Sequence, residues 1–327
     1  MSASLRALCL TEAGPGIGLG HLRRCQALAR TLSARGATVR LLVAGDAGGG
    51  GDVSRLEWTR DPALAGEALA TWRPEVVVVD SYHAGTELLE RAAALAACVV
   101  AVDDLADRPL PVHLVVNGAW HAARLAYGGG PGTAFLLGPE YALLDPAFAE
   151  APRRARRGDV RRVLVTLGGD PPADALVVAL AAVRRAAPTA RIDVALGPFA
   201  PARNGAETGV VEHRGLDSLR ELMLEADLAV TGGGMTLYEC LATSVPVVGV
   251  CLADNQRPNI DELGRAGLIL SGESSLEQAL GRLADDPALR RSMSARGRRA
   301  VDGRGTERVA DAIERACLAV GAARSAR

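Results

Sequence analysis

The chain has 327 residues, of which 49 % are hydrophobic, 23 % charged and 3 % aromatic, and its formal net charge is −1. This balance is typical of a globular protein of about two domains, and it excludes a strongly basic surface for nucleic acid or anionic membranes. All 37 basic residues are arginine, which excludes a Walker A phosphate loop and a lysine Schiff base.

Short apolar runs alternate with amphipathic stretches over residues 1–148, which is the pattern of βαβ units and a parallel sheet. Strands are predicted at 5–11, 38–44, 75–80 and 98–104. A helix is predicted over 21–36, because its apolar residues recur on one face and Gly36 closes it. These elements predict an N-terminal α/β domain that ends near Phe148.

A Pro- and Arg-containing stretch over 149–159 predicts a linker, and a second α/β domain is expected over 160–327. Its predicted strands are 160–169, 191–197, 227–234 and 245–251, and its helices are 173–187, 216–226 and one from Met235. The helical C-terminal part, 274–321, could pack back across the first domain. The fold class is therefore α/β, with two doubly wound Rossmann-like domains and an interdomain cleft of the glycosyltransferase-B type.

The six cysteines are scattered without a metal-ligand spacing, which is typical of buried thiols in a reducing compartment. The apolar N-terminus is too short for a signal peptide, and no apolar run reaches the length of a membrane span. We therefore expect a cytoplasmic protein with small-molecule partners, no membrane insertion and no nucleic acid. The sequence carries no signal that specifies an oligomeric state.

The segment GPGIGLGH at 14–21 follows the first strand and opens the first helix. Backbone amides and the helix dipole favour anionic or polar ligands there, and Gly18 and Gly20 let a ligand approach the backbone closely. His21 is the candidate general base, since its pKa range suits proton transfer near neutrality. The alternative is a turn in which His21 merely begins a helix. The spacing does not fit GxGxxG, so a dinucleotide site is disfavoured.

Two aspartates at predicted strand ends are candidates to orient His21. Asp80 lies in DSYH and Asp103 in DDLAD, and a carboxylate beside the imidazole would raise its basicity. The paired carboxylates of DDLAD are not ordered as a clean DxD metal clamp, so no obligatory metal is predicted.

The segment TGGGMTLYE at 231–239 follows a strand and opens a helix, so Gly233, Gly234 and the hydroxyl of Thr236 predict an anion cradle without lysine. Glu239, one turn later, is a candidate for the ribose diol or, alternatively, a solvated carboxylate. Other candidates follow strands in the same domain. They are the glycine turn Gly168 and Gly169, and Asp254, Asn255 and Gln256 for sugar hydroxyls or as a capping turn.

Six segments in this order resemble one known family: GIGLGHLRRCQALA, VDSYHAG, VDDLADRPL, LLGPEYALLDPAF, VTLGGDPP and GGGMTLYECLATSVPVVGVCLADNQ. They resemble the UDP-2,4-diacetamido-2,4,6-trideoxy-β-L-altropyranose hydrolase of pseudaminic acid biosynthesis and the related spore-coat polysaccharide proteins. The resemblance spans roughly residues 14–265.

The resemblance implies a glycosyltransferase-B fold and a metal-independent site without a cofactor. It implies that Gly233, Gly234, Met235 and Thr236 hold the diphosphate of a UDP-sugar, that Glu239 holds the ribose, and that the backbone near Leu216 holds the uracil. His21 would activate water for inverting attack at the anomeric carbon. The family usually has Arg-x-Asp at the end of the first strand, where this chain has Thr11, Glu12 and Ala13; these positions lie beside the sugar pocket.

The first hypothesis is therefore a hydrolase that cleaves the anomeric C–O bond of a UDP-sugar or another nucleoside-diphosphate sugar. The alternative is a glycosyltransferase that uses the same donor site with an acceptor hydroxyl or amine in place of water. A third hypothesis is a non-catalytic nucleotide-sugar sensor, and dinucleotide oxidoreduction is a distant fourth.

Overall fold

The computed structural model describes residues 5–49, 53–152, 158–201 and 207–325. The chain divides into two compact units, the first made of Met1–Pro146 and Arg304–Arg327 and the second of Ala147–Gly303. Part of the predicted linker, residues 153–157, lies outside the described residues.

The first unit is a seven-stranded parallel sheet with the strand order β3-β2-β1-β4-β5-β6-β7. Its strands are β1 (Arg6–Ala13), β2 (Thr38–Gly45), β3 (Ser54–Arg55), β4 (Val76–Asp80), β5 (Cys98–Val102), β6 (Leu114–Asn117) and β7 (Ala134–Leu137). Its helices before the second unit are α1 (Gly20–Ala34), α2 (Pro62–Trp72) and α3 (Thr86–Leu95).

The central strands are apolar on both faces because helices cover both sides of the sheet. Alternate residues of β1 enter different cores: Ala7 and Cys9 pack with α1, whereas Leu8 and Leu10 pack with α2 and α3. The period of two in a strand explains this division. The predicted strands of this unit are therefore central ones, whose continuous apolar runs are visible in the sequence.

The last helix, α10 (Gly305–Ser325), belongs to the first unit. The sequence analysis grouped the C-terminal helices with 160–327 and expected that they could pack back across the first domain, and α10 is the helix that lies in the first unit. Val309, Ala310 and Ile313 are buried in the same core as the apolar face of α1, so burial of this apolar stripe explains why the helix returns to the first sheet.

The second unit is a six-stranded parallel sheet with the order β10-β9-β8-β11-β12-β13. Its strands are β8 (Arg162–Thr166), β9 (Arg191–Leu196), β10 (Val210–Arg214), β11 (Leu228–Gly232), β12 (Val247–Val250) and β13 (Leu270–Ser271). Its helices are α4 (Ala173–Ala186), α5 (Arg220–Glu225), α6 (Met235–Ala242), α7 (Arg257–Arg265), α8 (Leu276–Asp285) and α9 (Pro287–Ala300).

Both sheets are doubly wound: successive strands are added first toward one edge of the sheet and then toward the other, so the strand order reverses between two neighbouring strands. The reversal falls between β1 and β4 in the first unit and between β8 and β11 in the second. Ligands of such sheets bind outside the carboxyl ends of the strands at this point. Within the described ranges, no helix combines the length and the hydropathy needed to cross a bilayer.

Candidate functional site

His21 lies in the first turn of α1, directly after the glycine loop that follows β1. The loop folds back on itself, since the amide of Gly18 donates to the carbonyl of Gly14 over 2.7 Å and the amide of Gly14 donates to the carbonyl of Gly18 over 3.1 Å. Gly18 has a φ of 79°, a left-handed conformation that favours glycine. Gly20 is exposed at the start of α1. The loop thus places His21 at the carboxyl ends of β1 and β4.

The imidazole of His21 contacts the carboxylate of Asp80, the last residue of β4. His21 Nδ1 lies 2.6 Å from Asp80 Oδ1, and the two residues are only 5 % and 0 % exposed. Arg24 Nη2 also lies 2.9 Å from Nδ1. We assign the ring proton to Nδ1, because the carboxylate of Asp80 can only accept and its contact with Nδ1 is the shorter of the two. Nε2 then carries the lone pair and has no hydrogen-bond partner among the described residues, so it can accept a proton.

Arg24, one turn after His21 on α1, holds the other side of Asp80. Its Nε donates to Asp80 Oδ2 over 2.9 Å and its Nη2 donates to Asp80 Oδ1 over 2.7 Å. Its Nη1 donates to both oxygens of Asp104 at 2.8 Å. Burial alone would lower the pKa of Arg24, but Asp104 and Asp80 raise it well above its ordinary value. Arg24 is therefore a permanent cation that fixes both carboxylates.

Asp104 is the second carboxylate of this cluster, and both of its oxygens accept from Arg24. Burial would raise the pKa of Asp104, but Arg24 outweighs that effect, so the pKa lies below its ordinary value and Asp104 stays ionised. Arg24 thus lies between two carboxylates, and Asp104 helps to keep it beside Asp80.

Tyr82 covers the imidazole. The two rings meet edge to face, with centroids 4.5 Å apart and an interplanar angle of 87°, and the Tyr82 hydroxyl donates to Asp104 Oδ2 over 3.1 Å. Burial and the nearby carboxylate of Asp104 raise the pKa of Tyr82, so its hydroxyl stays protonated. The aromatic contact and the hydrogen bond together fix the orientation of His21.

A second carboxylate–histidine contact lies at the same two strand ends. Glu12, near the end of β1, is 1 % exposed. Its Oε1 accepts from the backbone amide of Tyr82 over 3.0 Å, and its Oε2 lies 2.7 Å from His83 Nδ1. Glu12 thus anchors the segment that follows β4.

Asp103 does not reach His21, so the prediction that it orients the imidazole is wrong. Its Oδ1 accepts the backbone amides of Leu105 and Ala106 at 3.0 and 2.7 Å, and it stabilises the turn after β5, where Ala106 has a φ of 52°. The neighbouring Asp104 acts on this site indirectly, because it accepts from Arg24, which in turn holds Asp80. Of the two predicted aspartates, the structure brings only Asp80 to His21.

In the second unit, Gly234 caps the N-terminus of α6. Gly234 is exposed, Met235 and Thr236 are half-buried, and an added Cβ on Gly234 would meet no atom within 4 Å. The first amides of a helix have no partner within the helix, and among the described residues those of Gly234, Met235 and Thr236 have none elsewhere. These three amides can therefore bind an anion.

The amide of Gly233 is not available for the predicted anion cradle, because it donates to Gln256 Oε1 over 2.9 Å. The same oxygen accepts from the amide of Leu252 at 3.3 Å, and the carbonyl of Gly233 accepts from Asn259 Nδ2 at 3.1 Å. The side-chain oxygen of Gln256 therefore holds the glycine turn in place. Close packing explains why position 233 is a glycine, since an added Cβ there would lie 2.7 Å from Gln256 Cβ.

The remaining predicted residues of this unit all lie near strand ends. Gly168 (φ 97°) and Gly169 follow β8, and an added Cβ on Gly197 would lie 2.4 Å from Gly169 Cα, so the glycines let two turns pack closely. Leu216 is 37 % exposed in the segment after β10. Glu239 is half-buried on α6, one turn after Thr236, and Asp254 and Asn255 are exposed in a 3-10 turn after β12.

Four residues of the first site were not predicted as functional: Glu12, Arg24, Tyr82 and Asp104. Arg24 had a signal, because residues three apart on a helix share a face, and Arg24 follows His21 at that spacing. The resemblance places Glu12 beside the sugar pocket, but the contacts of Glu12 with His83 and of Asp104 with Arg24 had no signal, since the partners lie 71 and 80 positions away. Among the described residues, no group of three or more His, Cys, Asp or Glu side chains is arranged to hold a metal ion.

No family model matches the chain. Over 211 residues the chain is 26 % identical to the spore coat polysaccharide biosynthesis protein SpsG of Bacillus subtilis (strain 168), an alignment that covers 60 % of this chain and 62 % of SpsG. The matched part is thus less than two thirds of the length of that relative.

Solved glycosyltransferase structures cover nearly the whole chain. The calicheamicin glycosyltransferase CalG4 superposes with a TM-score of 0.60 at 17 % identity, over 96 % of this chain and 98 % of CalG4. The Streptomyces sp. SF2575 glycosyltransferase SsfS6, solved in complex with thymidine diphosphate, superposes with a TM-score of 0.54 at 17 % identity, over 95 % and 98 % of the two chains. The chain therefore has the glycosyltransferase-B fold, as predicted.

Proposed function

We propose that the protein transfers a glycosyl group from a nucleoside-diphosphate sugar to an acceptor, with His21 as the base. Glycosyl transfer is the alternative to the hydrolase that the sequence favours. The contact between His21 Nδ1 and Asp80 at 2.6 Å carries the proposal, because it leaves Nε2 as a proton acceptor at the switch point of the sheet. The glycosyltransferase-B fold and the names of CalG4, SsfS6 and SpsG support the same class of reaction.

The proposed step moves one proton and one glycosyl group. An acceptor hydroxyl gives its proton to His21 Nε2 while its oxygen forms a bond to the anomeric carbon. The bond from that carbon to the β-phosphate oxygen breaks, and its electron pair leaves with the nucleoside diphosphate. Asp80 holds the imidazole through Nδ1, Arg24 and Asp104 hold Asp80 in place, and the amides of Gly234, Met235 and Thr236 stabilise the charge on the leaving diphosphate. Sugars linked to UDP and sugars linked to thymidine diphosphate are both candidate donors.

Hydrolysis of the same donor is the second candidate. The series of motifs shared with the altropyranose hydrolase supports it, and water is a smaller acceptor for the same basic nitrogen. The two reactions differ only in which oxygen attacks the anomeric carbon.

Release of nucleoside diphosphate tests both candidates. The purified chain is incubated with UDP- and dTDP-linked hexoses in the presence of EDTA, with and without methyl glycosides as acceptors, and the products are followed by ³¹P and ¹H NMR. We expect release that depends on an acceptor. Equal release of free sugar without an acceptor would favour hydrolysis, and no release from any donor would contradict the proposed function.

A further inference from the structure

We propose that His83 is a second substrate-contacting residue at the His21 edge of the first unit, where it hydrogen-bonds a hydroxyl group of the sugar substrate. The inference rests on the proposed function and extends it to a residue that determines specificity. Its basis is the arrangement of Glu12, Tyr82 and His83 at the ends of β1 and β4.

The two histidines form crossed contacts between the same two strands. His21 follows β1 and contacts Asp80 at the end of β4, whereas His83 follows β4 and contacts Glu12 near the end of β1. Tyr82 links the two pairs, because its ring packs against His21 and its amide donates to Glu12. His83 is therefore adjacent in the chain to the residue that covers the proposed base.

Glu12 holds His83 in one orientation. The carboxylate side chain is 2 % exposed, and Glu12 Oε2 lies 2.7 Å from His83 Nδ1, which again assigns a proton to Nδ1. The amide of His83 also donates to Ser81 Oγ over 2.9 Å. Both contacts fix the backbone and the ring, so little further conformational entropy is lost when a ligand binds Nε2.

The outer part of His83 remains available. Its side chain is 60 % exposed although Nδ1 is bound, and among the residues with described positions Nε2 has no hydrogen-bond partner. An imidazole nitrogen held in this way can accept a hydrogen bond from a hydroxyl group, or donate one when the ring is protonated. Hydroxyl groups are the polar groups that a sugar presents in greatest number, and a fixed acceptor selects among their positions.

A purely structural alternative is that His83 only satisfies the buried carboxylate of Glu12, since a buried charge without a partner is costly. The two accounts predict different results. A structural role alone lowers the thermal midpoint and leaves kcat and KM of the folded enzyme unchanged, whereas a substrate contact raises KM of the folded enzyme whatever the change in the midpoint.

The test compares His83→Phe and His83→Gln with the wild type and with His213→Gln, using the nucleotide-sugar donor that the wild type turns over fastest. Steady-state kcat and KM, the dissociation constant for UDP or dTDP by calorimetry, and the thermal midpoint are measured for each. We expect His83→Phe to lower kcat/KM about tenfold, mostly through KM. His83→Gln, whose amide can still bond a hydroxyl, should recover part of the loss, and His213→Gln should match the wild type.

The inference is overturned if His83→Phe stays within twofold of the wild type, or if its loss follows a lower midpoint and a smaller folded fraction. If the wild type releases no nucleoside diphosphate from any donor, the proposed function fails and the inference fails with it. That result differs from the first two, in which the wild type is active.

Discussion

Each unit contains a buried aspartate that contacts a histidine and arginine, but the two clusters lie at different places on their sheets. Asp80 ends β4 and contacts His21 and Arg24 on helix α1, which follows the neighbouring strand β1. Asp193 lies within β9 and is contacted by Arg162 and Arg191, each the first residue of its strand, and by His213 at 2.7 Å. The first cluster is at the carboxyl ends of the strands, whereas the arginines of the second are at the amino ends of β8 and β9 and its histidine is within β10.

The comparison shows that position, more than residue type, distinguishes a candidate catalytic group from a structural one. Burial would raise the pKa of Asp193, but Arg162, His213 and Arg191 lower it below its ordinary value, as expected for a satisfied ion cluster. The carboxyl edge of the second sheet carries glycine turns and free helix amides instead of this charge. The first edge is thus suited to proton transfer, and the second to binding an anion.

The largest expected effect separates the two aspartates. In Asp80→Asn, the remaining oxygen is held by Arg24, so the new amide nitrogen donates to His21 Nδ1 and moves the imidazole proton to Nε2. We expect turnover to fall about 10²- to 10⁴-fold and stability to fall by about 3 kcal/mol, because a buried arginine loses one partner. Kinetics and urea unfolding measure both.

Asp193→Asn is the matched control for this substitution. It removes a comparable buried carboxylate and should lower stability, while the folded protein keeps its turnover. A fall in turnover as large as that of Asp80→Asn would break the distinction between the two clusters.

The next effect tests the glycine turn of the second unit. Gly233→Ala places a Cβ against Gln256 and should destabilise the fold by about 1–3 kcal/mol, whereas Gly234→Ala meets no protein atom within 4 Å. We expect Gly234→Ala to keep a near-normal thermal midpoint and to bind UDP or dTDP about tenfold more weakly, because its methyl group crowds the free amides. Unchanged affinity would argue against a diphosphate at these amides.

A charge placed at the same turn should have a smaller effect. Gln256→Glu retains an oxygen that can accept the amides of Gly233 and Leu252, but it adds a negative charge near the proposed diphosphate. We expect a severalfold loss of nucleoside-diphosphate affinity that diminishes at high salt. Calorimetry at two ionic strengths tests this, and Gln278→Glu on the exposed face of α8 should show no loss.

The smallest expected effect concerns acid stability. The pKa of Asp104 is lower in the folded state than its unfolded value of about 3.9, so its contribution is present above the unfolded pKa and is lost as the pH falls through the folded pKa. Asp104→Asn should therefore lower the free energy of unfolding at pH 6 and flatten the loss of stability between about pH 5 and pH 2. An acid limb as steep as that of the wild type would contradict the proposed role of the Arg24 ion pair.

Most central strands were predictable from the sequence, although the short central strand β6 was missed, and edge strands were not predictable. Val76–Asp80 and Cys98–Val102 are buried on both faces and appear as continuous apolar runs. By contrast, β10 (Val210–Arg214) has an exposed edge and the polar sequence VVEHR, and β3 has only two residues. Neither provides the apolar periodicity from which a strand is predicted.

The candidate site was predictable as far as local rules reach. His21 and Asp80 follow from the glycine loop and from the end of an apolar strand. The choice between Asp103 and Asp104 depends on how the chain turns after β5, where Asp103 binds two backbone amides. The pairing of Glu12 with His83 depends on the neighbouring positions of β1 and β4 in the sheet, which their separation in the sequence does not reveal.

The most direct test of the account is turnover of a nucleotide sugar by His21→Gln, with UDP or dTDP affinity measured on the same samples and His213→Gln as the control. We expect His21→Gln to lose at least about 100-fold in kcat and to keep its nucleoside-diphosphate affinity within twofold. Turnover equal to that of His213→Gln would contradict the assignment of His21 as the base.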